Sequence, residues 1–260
     1  MNALARRRYS KSAPVLLVLI LLAALTAIGF VANGSPADAA TATADDVAEG
    51  QKLFAANCAS CHGLDAQGTD GVAPSLIGVG AAAVDFQVGT GRMPMQASGP
   101  QVQEKKPQFD AEQISQLAAY VASLGEGPAI PTAEMVDPAL GDAAVGMEIF
   151  RTNCAMCHGS IGGGGALTQG KFAPNLWSTS NTHIYEAMLV GPQSMPVFND
   201  ANITPENKRN IIAYLDFQQQ GSPGGLKLGS IGPVAEGFWG WLVALGLIIA
   251  STIYVGARAS

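Results

Sequence analysis

The chain has 260 residues, 48% hydrophobic and 13% charged, with a formal net charge of −6, and that length suffices for one or two cores. All 20 acidic residues lie between Asp38 and Glu236, where only nine Lys and Arg accompany them. An acidic body of this kind excludes nucleic acid as a partner, because phosphate binding needs clustered cations; it suits the steering of a basic protein instead.

Taken in chain order, Arg6, Arg7, Arg8 and Lys11 precede an uncharged apolar run from Val15 to Ala32. The run is longer than an ordinary signal-peptide core, yet Ala37-Asp38-Ala39 has the small-residue pattern of a cleavage site. Residues 1–39 are therefore a signal peptide or a signal anchor, the length favouring the anchor, and either exports the chain beyond residue 39. At the other end Gly237 to Ala257 carries no charge, enough to span a hydrocarbon layer of roughly 30 Å at about 1.5 Å per residue. Phe238, Trp239 and Trp241 sit at its start and Arg258 just past its end. Aromatic belt and positive-inside preference together orient it outside to inside, which places residues 40–235 on the extracytoplasmic face of the cell membrane. Gly246 and Ala250 form a small-xxx-small pair, a hint of a neighbouring helix.

Between these segments the chain repeats itself. GQKLFAANCASCHG (50–63) matches GMEIFRTNCAMCHG (146–159), and the register continues: Ala73-Pro74 with Ala173-Pro174, Val88-Gly89 and Met93-Pro94 with Val190-Gly191 and Met195-Pro196, Ala119-Tyr120 with Ala213-Tyr214. The repeat defines two homologous units, at 40–125 and 142–222, joined by a Pro- and Gly-rich linker at 126–141 whose composition argues against helix; a second linker, 223–236, leads to the apolar helix at 237–257. Each unit reads as helical. Asp45 or Asp46 is placed to cap the first helix of unit one and Asp142 that of unit two, while Asp110 and Thr204-Pro205 open the closing helices. No run of alternating strand residues competes with them.

All four cysteines fall in the two C-x-x-C-H patterns, Cys58-Cys61-His62 and Cys154-Cys157-His158. This is the pattern of covalent c-type haem attachment: two thiols about one helical turn apart form thioethers with the porphyrin vinyl groups, and the adjacent imidazole ligates iron. A redox C-x-x-C would need a βαβ context, and a structural zinc would have to gather ligands across the linker. Two plain disulfides would leave the paired histidines unexplained. Two covalently bound haems c are expected. For the sixth ligand only one further histidine exists, His183, so it cannot serve both irons. Met93 and Met195 occupy matched positions before a proline, and a thioether ligand raises a haem potential by favouring ferrous iron; Met95 is close enough to replace Met93. Met147, Met156 and Met188 read as packing residues, and His183, in NTHIYEAM, as a surface residue at a helix start.

Phe54, Cys58, Cys61, His62, Pro74, Met93 and Tyr120, and again Phe150, Cys154, Cys157, His158, Pro174, Met195 and Tyr214, resemble the class I cytochrome c pattern. The resemblance implies that each proline carbonyl accepts the histidine N–H, and that Gly50-x-x-x-Phe54 and Gly146-x-x-x-Phe150 mark the first helix crossing the last near the tyrosine. The implied fold class is mostly α: two tandem class I cytochrome c domains, a C-terminal transmembrane helix and an N-terminal signal or anchor helix. That arrangement is similar to the dihaem cytochrome c subunits of actinobacterial menaquinol:cytochrome c reductases, the cytochrome bcc complexes. It implies cytochrome b and Rieske iron–sulfur subunits as neighbours, a terminal cytochrome oxidase as electron acceptor, membrane lipid around the apolar helix, and no side chain acting as a catalyst. The alternatives are a dihaem subunit of a cbb-type oxidase, built from the same units, and a dihaem peroxidase, which wants one iron open or bis-histidine ligated. The Lys105-Lys106 stretch is an insertion in the first unit, readable only as a contact surface.

Overall fold

The computed structural model describes residues 42–97, 99–220 and 233–259; the expected signal or anchor segment at 1–39 lies outside the described residues. The first unit begins with α1 (Ala44–Asn57), α2 (Ala59–His62), α3 (Gly80–Gly89) and α4 (Ala111–Ser123). Thr43, rather than Asp45 or Asp46, caps α1: its hydroxyl accepts the Asp46 N–H at 3.2 Å while the Asp46 carboxylate accepts the Thr43 N–H at 2.8 Å. This is a reciprocal capping box; the acidic residue sits at its third helical position, not at its cap. Asp110 and Gln113 form the same box at the start of α4.

The second unit repeats the plan with α6 (Ala143–Asn153), α7 (Ala155–His158), α8 (Asn181–Val190) and α9 (Pro205–Gln220). Asp142 caps α6 through the N–H groups of Ala144 and Val145, and Pro205 opens α9 with the Thr204 carbonyl accepting from Lys208. The segment between the units is not free of helix. It holds α5 (Ala133–Val136) and a 3-10 turn, Pro138–Leu140, capped by Asp137. Proline at the first position of a turn has no N–H to lose, so prolines here start short helical pieces. A two-stranded ribbon unforeseen from the sequence, β1 (Gly165–Ala166) with β2 (Phe172–Ala173), closes the loop after α7.

In both units the first helix crosses the last at a glycine. A Cβ at Gly50 would collide with the Gln116 carbonyl on α4, and one at Gly146 with the Asn210 carbonyl on α9. One turn along, Phe54 stacks on Tyr120 at 5.2 Å and Phe150 on Tyr214 at 5.5 Å between ring centroids. These residues anchor two separate cores, one built on Phe54, Leu117 and Tyr120, the other on Phe150, Ile211 and Tyr214. Gly146→Ala forces backbone apart from backbone, which no rotamer relieves. It is expected to cost about 3 kcal/mol and to lower the melting temperature of this small unit by about 15 °C, as read by thermal unfolding of the second unit.

The last helix, α10 (Pro233–Ala259), contains the span Gly237–Arg258, long and apolar enough to cross a membrane. Trp239, Trp241, Leu247 and Ile248 are all more than half exposed. A continuous apolar surface of that extent is stable against lipid, not water.

Candidate functional site

The backbone treats the two C-x-x-C-H motifs alike. Helix α1 stops at Cys58 (φ −120°, ψ −30°) and restarts as α2, and α6 stops at Cys154 (φ −117°, ψ −32°) and restarts as α7. The break separates the short helix, which carries the second thiol and the histidine, from the helix before it. All four thiols are free of disulfides. Burial pushes the Cys58 and Cys154 thiols up to about 11, the second thiol of each motif adding to the effect; both stay protonated at neutral pH.

Each histidine is buried and committed on one side. His62 Nδ1 lies 2.8 Å from the Pro74 carbonyl oxygen and His158 Nδ1 3.1 Å from that of Pro174. A carbonyl can only accept, so Nδ1 carries the proton and Nε2 keeps its lone pair for a metal. Burial also pulls the His158 pKa below its ordinary value, outweighing the Pro174 contact that raises it, and so favours the neutral, ligating ring.

In the second unit Cys154, Cys157, His158, Pro174 and Met195 line one largely apolar cavity, about 1210 Å³ of atom-free space partly open to solvent. The residues present fit a haem c: two free thiols, an imidazole with one nitrogen already hydrogen-bonded, and a thioether on a shared cavity wall. In the first unit Cys58 and Met93 pack against the Phe54–Tyr120 core. Met95 is 44% exposed, so of the two methionines it is Met93 that the fold turns inward. Met188 is buried and Met147 packs on the core, as expected of filler. Met156 does not: it is 94% exposed, standing between the two cysteines on the rim of the cavity.

Three residues of the first unit, Phe86, Arg92 and Gln101, also line this second-unit cavity. Arg92 is buried, its guanidinium 4.9 Å from the Phe86 ring centroid and 3.5 Å from Glu104; burial lowers its pKa despite Glu104. This cation is not foreseen from the sequence, because no local pattern marks it. The stretch around Lys105-Lys106 folds back on its own unit, and only its upstream part, Gln101 and Val102, reaches the second. Lys105 Nζ donates to the Pro94 carbonyl at 2.7 Å and its N–H to Thr90 at 3.2 Å, which folds the insertion against the Met93 loop. Upstream, the Gln101 amide donates to the Phe172 carbonyl and accepts the Phe172 N–H, both at 2.8 Å. Gln193, held at φ +58°, does the same to Val102 at 2.9 and 3.0 Å. Four hydrogen bonds of about 1 kcal/mol each join the units. Replacing both glutamines by alanine is expected to speed hydrogen exchange at the Phe172 and Val102 amides about tenfold or more, as read by exchange mass spectrometry.

Helix α3 packs on α8 across this interface. His183 is not at a free surface: its side chain is 21% exposed, its ring edge-on to Phe86 at 6.0 Å and its Nε2 3.6 Å from Asp85 Oδ2. One turn on, Glu186 is fully buried and no donor group meets its carboxylate oxygens; burial first, then the neighbouring Asp85 carboxylate, with which a protonated Glu186 can share a hydrogen bond, pushes its carboxyl up to about 10.

Comparison with known proteins agrees with the duplicated geometry. Residues 47–125 match the family described as cytochrome c, and residues 141–215 the family described as cytochrome c oxidase, cbb3-type, subunit III. The cytochrome bc1 complex cytochrome c subunit of Corynebacterium diphtheriae is 39% identical over 277 residues, covering 98% of this chain and 97% of that protein. This chain belongs to the family of cytochrome bc1 complex cytochrome c subunits. The relative from Corynebacterium efficiens is 40% identical over 90% of the chain and 86% of its own length. A narrower likeness, 39% identity over 36% of the chain, links it to the cbb3-type cytochrome c oxidase subunit CcoP of Rhodobacter capsulatus. The chain is thus an electron-transfer cytochrome c, and its cytochrome c domains imply covalently bound haem c.

Proposed function

We propose that this chain is the membrane-anchored relay of a quinol-oxidising complex. It holds two haems c outside the cytoplasm and conducts electrons from a Rieske iron–sulfur protein, beside cytochrome b, to a terminal oxidase. The observation that carries the reading is the duplicated motif with its duplicated histidine–proline contact, 2.8 and 3.1 Å, in two units that share an interface. When bound, haem would supply iron that changes valence by one electron; the protein's residues would tether it and tune it. Cys58 and Cys61, and Cys154 and Cys157, tether the groups. His62 and His158 offer Nε2 as the fixed ligand, and Met93 and Met195 offer a thioether that favours the ferrous state. Were His62 with Met93 and His158 with Met195 to hold the two irons, no place would remain at the metal for a substrate, which suits relay over peroxide chemistry. Arg92 adds a buried positive charge at the wall of the second cavity, which favours an electron there.

The match of residues 141–215 to a cbb3-type subunit keeps a second reading alive, in which the same units serve an oxidase directly. The far fuller coverage of the bc1 relatives weighs for the first. Purification of the tagged chain from native membranes in mild detergent tests the choice. The expected result is co-purification of cytochrome b and a Rieske protein, with menaquinol-driven oxygen consumption needing no added soluble cytochrome c. Recovery of oxidase subunits without cytochrome b would assign the chain to the oxidase, and peroxide turnover by the chain itself would make it a peroxidase.

A further inference from the structure

Between the two haem units lies a cluster that electron relay does not use. Asp85 on α3 and His183 and Glu186 on α8 place one ligating atom each within 4.8 Å of one another. His183 and Glu186 are three apart on a helix and so share a face; Asp85 meets them from the other unit.

Three features point to a cation. Glu186 is fully buried and no donor group of the protein meets either oxygen; its polar neighbour is the Asp85 carboxylate, so the two acids need a proton or a cation between them. The His183 Nε2 to Asp85 Oδ2 separation is 3.6 Å, long for a hydrogen bond but close to the ~3.4 Å between two ligands of a tetrahedral ion with bonds of about 2.1 Å. Gly89 then leaves the approach clear: a Cβ there would stand 2.9 Å from His183 Nε2. Its repeat partner Gly191 is required by a left-handed φ of +57°, whereas Gly89 ends α3 without a positive φ, and what a Cβ there would meet is the His183 ring.

We propose that Asp85, His183 and Glu186 form a divalent transition-metal site, of the zinc class, that clamps the two haem units across the α3–α8 interface. An imidazole with two carboxylates disfavours calcium and magnesium, which take oxygen ligands, and suits zinc with a water in the fourth position. The charges balance, two carboxylates against one dication. Asp85 and His183 are each about one-fifth exposed, which gives the ion a way in, while Glu186 anchors it from inside. The Phe86 ring against His183 limits water on that side. In the absence of an ion a proton on Glu186 plays the neutralising part, consistent with its raised pKa.

The test uses the full chain, haem-loaded and in detergent, with zinc ion alone as the probe. Chelator-treated protein is dialysed against zinc, and non-haem metal per chain is counted by elemental mass spectrometry, with haem content and visible spectrum recorded for every variant. Expected are one zinc per wild-type chain and a loss of affinity of tenfold or more in Asp85→Asn, His183→Gln and Glu186→Gln. Gly89→Ala, which keeps all three ligands and only crowds Nε2, is expected to lose binding too. Zinc should also slow proteolytic separation of the two units in the wild type and not in Asp85→Asn. Asp85 is partly exposed and its substitution isosteric, so this variant reports even where Glu186→Gln fails to fold. Equal zinc binding by the wild type and the folded variants, or no zinc held by the wild type, overturns the site; because haem is counted separately, neither result bears on the haem assignment.

Discussion

Replacement of both thiols of either motif, Cys58 and Cys61 or Cys154 and Cys157, by alanine is expected to halve the covalent haem on a denaturing gel and to reduce quinol-driven oxygen consumption to background. Under the proposed reading the thiols are the covalent tether, and removing one of the pair would leave a thioether able to hold haem, which is why the double replacement is the decisive form. The two haem units lie in series under the relay reading, with the α3–α8 face and the Gln101 and Gln193 amides holding them in contact. Loss of either unit then interrupts the path completely. Haem staining and oxygen uptake in the same membranes check this. Half the haem with more than half the turnover would mean that electrons bypass one unit.

Met195→Leu is the second variant with a large expected effect. Leucine conserves volume and burial, so the cavity persists and the Cys154–Cys157 tether is untouched. What disappears is the thioether on the wall that also carries His158. Axial ligands set haem potentials over a range of about 0.8 V, so losing one is expected to lower the potential on the order of 0.1 to 0.3 V. An opened iron should also bind carbon monoxide, which the wild type, with Met195 in place, is expected not to do. Met93→Leu should act the same way on the first unit, whereas Met95→Leu should change neither property, because Met95 is 44% exposed and lies outside the Phe54–Tyr120 core. Redox titration together with carbon monoxide difference spectra distinguishes the three. An unchanged spectrum in Met195→Leu would show that another group ligates the iron.

The parts of this molecule written in short-range pattern are legible in its sequence. The spacing of Cys58, Cys61 and His62, its copy at Cys154, Cys157 and His158, the capped closing helices at Asp110 and Thr204, and the apolar span at 237–257 all depend on residues within a few turns of each other. Gly50 and Gly146 are legible by resemblance, and the crossing at Gln116 and Asn210 gives the reason. Local chemistry misleads where two residues can exchange roles: Asp46 has the composition of a cap, but Thr43 takes that place and leaves Asp46 to complete the box. Met156 reads as filler because methionine usually is, yet this residue between the two cysteines of its motif faces outward on the cavity rim. The interface between the units has no signature at all. Gln101 meets Phe172 across 71 residues and Gln193 meets Val102 across 91, and His183 looks like surface because the face that covers it, with Asp85 and Phe86, comes from the other unit. Contacts of that separation leave no periodicity to read.

Relay through this chain depends on each motif holding its own haem through thioether bonds. The direct measurement is the intact mass of the mature chain after denaturation, with mass mapping of the peptides that contain 58–62 and 154–158. The prediction is a mass excess of two haems, one on each peptide. An unmodified chain, or both peptides free of porphyrin, would contradict it.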